Sequence, residues 1–109
     1  MSQTTVQSWK SMRTKESRQL EKLLRTKFPH TDAYRYNSAS IRVRVVDRRF
    51  KGKSVAKRDD MVEPLLAKLP AKIQGDIMNL LTLYPRETED SLRARVANLE
   101  FEEPTPSLL

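Results

Sequence analysis

The stretch FKGKSVAKRDD, from Phe50 to Asp60, gathers four lysines and arginines around one of only two glycines in the chain and then ends on two aspartates. Those residue types suit three roles. A glycine among cations permits a tight loop whose backbone can approach phosphate, and Arg48, Arg49, Lys51, Gly52, Lys53, Ser54, Lys57 and Arg58 all lie on or beside that loop. A pair of carboxylates invites a divalent ion. Adjacent residues on a helix, however, point about 100° apart and do not easily share one ion, so Asp59 and Asp60 read as helix caps instead. The third role is structural only, a polar lead-in to a helix.

Outside this stretch, reactive groups are scarce. The chain has no cysteine, which excludes disulfides, thiolate chemistry and cysteine-ligated clusters within it. Its single histidine, His30, follows Pro29 and reads as a surface residue at a helix end. No P-loop and no G-x-S-x-G pattern occurs, so the usual nucleophile and base constellations cannot be assembled. The expectation is a protein that is not an enzyme, with no catalytic residues, no metal site and no cofactor.

Charge is polarised along the 109 residues. Residues 1–60 hold 16 Lys/Arg against 6 Asp/Glu, whereas residues 61–109 hold 5 against 8, within a net charge of +7. A first half of that sign, kept on one face, attracts a polyanion or an acidic protein. The length suits one domain with one core. No apolar run approaches a membrane span and no secretory signal opens the chain, so the expected location is the cytoplasm, with no membrane contact.

The elements that must hold the loop follow from periodicity. Residues 1–12 read as a flexible N-terminal segment, although Trp9 and Met12 could extend the next stripe by a turn. Leu20, Leu23, Leu24 and Phe28 mark a helix over Thr14 to Lys27, ended by Pro29. Two extended runs follow around a turn at Asn37 and Ser38. In the second, Ile41, Val43 and Val45 alternate with Arg42 and Arg44, which read as the solvated face of a half-buried strand. Met61, Val62, Leu65, Leu66 and Leu69 mark the next helix, kinked or started late by Pro64, with Asp59 or Asp60 as caps and Ser54 as the rival. Pro70 opens a short helix carrying Ile73 and Ile77, and NLLTLYP reads as a well-covered strand. Leu92, Val96 and Leu99 mark a last helix behind a Thr88 cap, and residues 101–109 read as a disordered tail. Residues 13–100 thus form one α+β domain of order helix, strand, strand, helix, helix, strand, helix, its three-stranded sheet covered by helices on one face.

With those elements in place, the chain resembles BolA-like proteins, whose fold has this order and is related to the nucleic-acid-binding KH fold. The carriers are LLRTKFP, IRVRVVD, LTLYP and above all FKGKSVAKR, which is similar to the family's F-x-G-x-S-x-x-x-R signature with Phe50, Gly52, Ser54 and Arg58 in register. The resemblance implies an α-β-β-α-α-β fold with a KH-like groove. It also implies an iron–sulfur cluster shared with a glutaredoxin, but the histidine that follows the family's arginine is Asp59 here, and the loop between the first strands, Tyr36 to Ala39, offers neither cysteine nor histidine. Two functions follow as expectations. One is a module contacting nucleic acid through the basic loop, with Tyr34 and Tyr36 as stacking candidates. The other is an adaptor for an acidic protein, existing as a monomer or a weak homo-oligomer.

Overall fold

Helix α1, Lys15–Leu24, starts where a reciprocal cap is available. Thr14 Oγ1 accepts from Ser17 N–H at 3.2 Å and Ser17 Oγ accepts from Thr14 N–H at 2.9 Å, which satisfies two donors that a helix start leaves open. In this computed structural model, which describes residues 8–109, α1 ends three residues earlier than the apolar spacing predicts. The chain tightens through Arg25–Lys27 so that Phe28 N–H still reaches Leu24 O at 2.8 Å, and Phe28 is buried beyond the helix proper.

Strands β1, Thr31–Asn37, and β2, Ser40–Val46, form an antiparallel hairpin, and β3, Ile77–Leu83, lies parallel to β2, giving the order β1-β2-β3. Between β2 and β3 come a 3₁₀ turn at Arg48–Phe50, helix α2 at Val55–Leu66 and helix α3 at Ala71–Asp76. A short α4, Glu87–Asp90, and α5, Leu92–Glu102, complete the α+β domain. Ile77, assigned from periodicity to the helix after Pro70, instead opens β3. Helix α2 begins at Ser54, whose Oγ accepts from Lys57 N–H, so Asp59 and Asp60 lie inside the helix rather than capping it. It runs through the exposed Pro64, two residues from its end. Likewise Ser91, not Thr88, caps α5.

One face of the sheet carries the main core. Ile41, Val43, Val45 and Ala33 pack against Leu20, Leu24 and Phe28, and against Val62, Leu65, Leu66 and Ile73 of α2 and α3. The opposite face is covered too, contrary to the one-face expectation. Trp9, Tyr34 and Phe101 form a second cluster there, with Met12, Tyr36 and Leu81 packed on it. Residues 9–12, expected to be flexible, form a 3₁₀ turn that buries Trp9; residues 1–7 of that segment lie outside the described residues. Phe101 and Glu102, placed from sequence in the tail, belong to α5, and Thr105 and Ser107 beyond them accept hydrogen bonds from Tyr36 and Asn37.

Arg42 and Arg44 are therefore not a solvated face. The Arg44 guanidinium sits over the Phe101 ring at 4.6 Å and donates to Asp32 at 2.8 Å, Glu102 at 2.7 Å and Asn98 at 2.7 Å. Arg42 lies 3.7 Å over the Tyr36 ring and donates to Glu100 at 3.0 Å. Alternation separates the two faces of a strand, but whether the polar face is roofed depends on a helix some 50 residues away in sequence. Among the described residues, no helix is long and apolar enough to cross a membrane.

Candidate nucleic-acid interface

Loop Asp47 to Ser54 is built by short-range bonds around one buried ring. Phe50 is fully buried and stacks on Phe28 with ring centroids 5.8 Å apart, fixing the middle of the loop to the core. Asp47 caps the 3₁₀ turn by accepting from Arg49 N–H at 2.9 Å. Gly52 then takes φ +81°, in the left-handed region that a side chain disfavours, and Lys53 N–H closes onto Phe50 O at 3.0 Å. Ser54 follows as the cap of α2.

Arg58 supplies the clamp. Its side chain is buried and spans three elements: Nε donates to Lys53 O at 3.0 Å, Nη1 donates to Thr82 O at 3.0 Å, and both Nη atoms fork onto the Glu87 carboxylate at 2.8 and 3.3 Å. Glu87 Oε1 also accepts from Tyr84 N–H at 3.0 Å. Phe50, Gly52, Ser54 and Arg58 thus anchor, turn, cap and clamp one loop. This corrects one expected phosphate contact, since Arg58 is committed to the fold; Ser54 stays exposed while its Oγ accepts from Lys57 N–H at 3.3 Å. Arg49 is committed as well, with Asp47 carboxylate bonds at 2.7 and 2.8 Å and Lys27 O at 2.8 Å. The same bonds hold the Asp47 carboxyl below its usual range.

What the loop leaves free is a set of cations. Arg48, Lys51, Lys53 and Lys57 are exposed, and among the described residues none has a carboxylate within ion-pairing distance. Lys51 sits 5.6 Å over the Tyr84 ring. A Cβ built on Gly52 meets nothing within 4 Å, so the backbone is open to approach there. Beside the loop, Lys27, His30, Arg48 and Arg49 line a shallow cleft of about 550 Å³ with Asp47 as its one carboxylate. His30 and Lys27 adjoin the loop because the antiparallel hairpin sets the start of β1 beside the end of β2, with Val46 N–H donating to His30 O at 3.0 Å.

The stacking candidates are not available. Tyr34 is fully buried, its hydroxyl donating to Phe101 O at 2.8 Å, and Tyr36 has the Arg42 guanidinium over its ring and its hydroxyl donating to Thr105 O. The groove between α2 and β3 is lined by Glu63, Leu66, Gln74, Ile77 and Leu80, which is apolar and acidic rather than basic. Positive charge is thus concentrated at the loop and not in that groove.

Cluster ligation, which the resemblance implies, does not fit the residues present. Asp59 is half-buried on α2, one carboxylate oxygen has no hydrogen-bond partner, and burial together with Asp60 and Glu63 pushes its pKa up. A carboxylate in that setting is a poor substitute for the thiolate or imidazole that such iron takes. Among the described residues, no three His, Cys, Asp or Glu side chains gather to hold a metal ion. Comparison with family models, with curated proteins and with solved structures gives no match to this chain.

Proposed function

We propose that the chain is a non-enzymatic, BolA-like binding module that contacts nucleic acid through Arg48, Lys51, Lys53 and Lys57. One contrast carries this reading. The arginines that the fold uses, Arg13, Arg35, Arg42, Arg44, Arg49 and Arg58, are each matched to a carboxylate, whereas these four loop cations are exposed and unmatched on a rigidly anchored turn. Matched charges are neutral at a distance, so the free ones set the local field. Phosphate oxygens are the complementary ligand, and the open backbone at Gly52 lets a sugar-phosphate chain come close. With stacking rings committed elsewhere, recognition runs through the backbone and carries little sequence preference.

Fluorescence anisotropy with labelled single-stranded RNA and DNA tests this. Four phosphate contacts at about 0.7 each give a slope of log affinity against log salt near −3. The triple change Lys51→Glu, Lys53→Glu, Lys57→Glu alters only exposed side chains, so circular dichroism should be unchanged while binding is lost. Absence of binding by the unaltered chain, or binding that survives the triple change, refutes the proposal.

A further inference from the structure

Helix α5 is apolar on two opposite sides. Ala94 and Phe101 are buried toward the sheet, while Leu92, Val96 and Leu99, spaced i, i+4, i+7, are 68%, 58% and 54% exposed. The spacing that marks this helix in the sequence turns out to be its outer side. Large aliphatics at that spacing, open to solvent, form half of a helix–helix seam. The charges that flank the stripe are segregated. Arg93 and Arg95 lie in the first half of α5 and Glu100 and Glu102 at its end, while Glu103, the C-cap, follows in line with the stripe itself.

We infer that α5 pairs with α5 of a second copy of this chain, antiparallel about a two-fold axis. With Leu92 and Leu99 at d and Val96 at a, Arg93 and Glu100 occupy e, and Arg95 and Glu102 occupy g. An antiparallel seam sets e against e and g against g. Arg93 then meets Glu100 of the second copy and Arg95 meets Glu102 of the second copy, and symmetry repeats each pair. Val96 packs on Leu99 of the second copy, and Leu99 on its Val96. A parallel seam retains only Arg95 opposite Glu100 and aligns the helix dipoles unfavourably. Arg93 has no ion pair within its own chain among the described residues. Glu100 and Glu102 already bind Arg42 and Arg44, and Glu100 also accepts from Thr105 N–H and Oγ1–H, yet their side chains are 42% and 45% exposed and accessible to a second cation. Because the patch is small, the dimer is weak and concentration-dependent, at the low end of specific interfaces.

Analytical ultracentrifugation of the full chain, up to about 1 mM, is the first test. A monomer–dimer equilibrium is expected, shifted at least tenfold toward monomer by Val96→Glu and less strongly by Arg93→Glu, with unchanged circular dichroism in both. The second test exploits the absence of native cysteine. When a Val96→Cys chain and an isotope-labelled Leu99→Cys chain are mixed and oxidised, the antiparallel seam yields chiefly mixed disulfide dimers. A strict monomer at every concentration, a dimer indifferent to Val96→Glu, or disulfides formed chiefly between like chains would each overturn the inference.

Discussion

Replacing Arg58 by methionine keeps the apolar stem and deletes the guanidinium, which isolates the clamp from packing. Four hydrogen bonds go: two to Glu87, one to Lys53 O and one to Thr82 O. Removing one partner of a buried charge pair costs about 3–5 kcal/mol, mostly because the other charge stays behind unmatched. Here the lower end applies, since the Glu87 side chain is 15% exposed and keeps its bond from Tyr84 N–H. The expectation is about 3 kcal/mol, which at about 4 °C per kcal/mol for a chain of this size lowers Tm by about 12 °C. Arg58→Lys should lose about 2 kcal/mol, because an ammonium cannot fork onto a carboxylate and also reach two carbonyls. Adding Glu87→Gln to Arg58→Met should restore at least about 1 kcal/mol by removing the stranded charge. Urea and thermal unfolding followed by circular dichroism of these three variants and of Glu87→Gln alone give the values. The reasoning fails if Arg58→Met costs less than about 1 kcal/mol, or if the double change loses the full sum of the single ones.

The two glycines predict opposite signs. Gly52→Ala is strained at φ +81° although its Cβ has room, and should destabilise by about 1 kcal/mol, whereas Gly75→Ala, unobstructed inside α3, should stabilise by about 0.5–1 kcal/mol in the same unfolding assay. Asp59→Asn should stabilise the chain by about 1 kcal/mol at neutral pH by removing a poorly solvated charge. The sign follows from linkage: the folded pKa of Asp59 lies above its ordinary 3.8, so the folded state holds the proton more tightly and stability falls as pH rises from near 3.8 through the folded value. The advantage of Asn therefore grows across that window and disappears below it; a pH-independent difference in urea midpoint would count against this account.

Local patterns carried most of the architecture. Strand alternation in IRVRVVD, the Thr14 start of α1 and the new helix after Pro70 follow from backbone geometry within a few residues, whereas α1 ends at Leu24, ahead of the break at Pro29. What the sequence does not show is which polar side chains are already spoken for. Arg58 and Lys57 look alike in a string of cations, yet one is sealed against Thr82 and Glu87 and the other is exposed. Arg42 and Arg44 are matched by carboxylates more than 50 residues away, and such pairings arise only from topology. The apolar stripe of α5 located the helix but not its surroundings, since a period of 3.6 identifies a face and not what lies against it.

Strand β2 joins two layers of opposite character through seven residues. Ile41, Val43 and Val45 point into an aliphatic layer, and Arg42 and Arg44 into one of rings and carboxylates. A slip of one residue against β1 or β3 would put guanidinium groups among leucines and valines among aspartates and glutamates, an error that neither layer could absorb. Strands with one wet face tolerate misalignment on that face, but β2 has none to spare. The two arginines consequently act as a check on the alignment of β2, and the loop that leaves it at Asp47 starts from a fixed point.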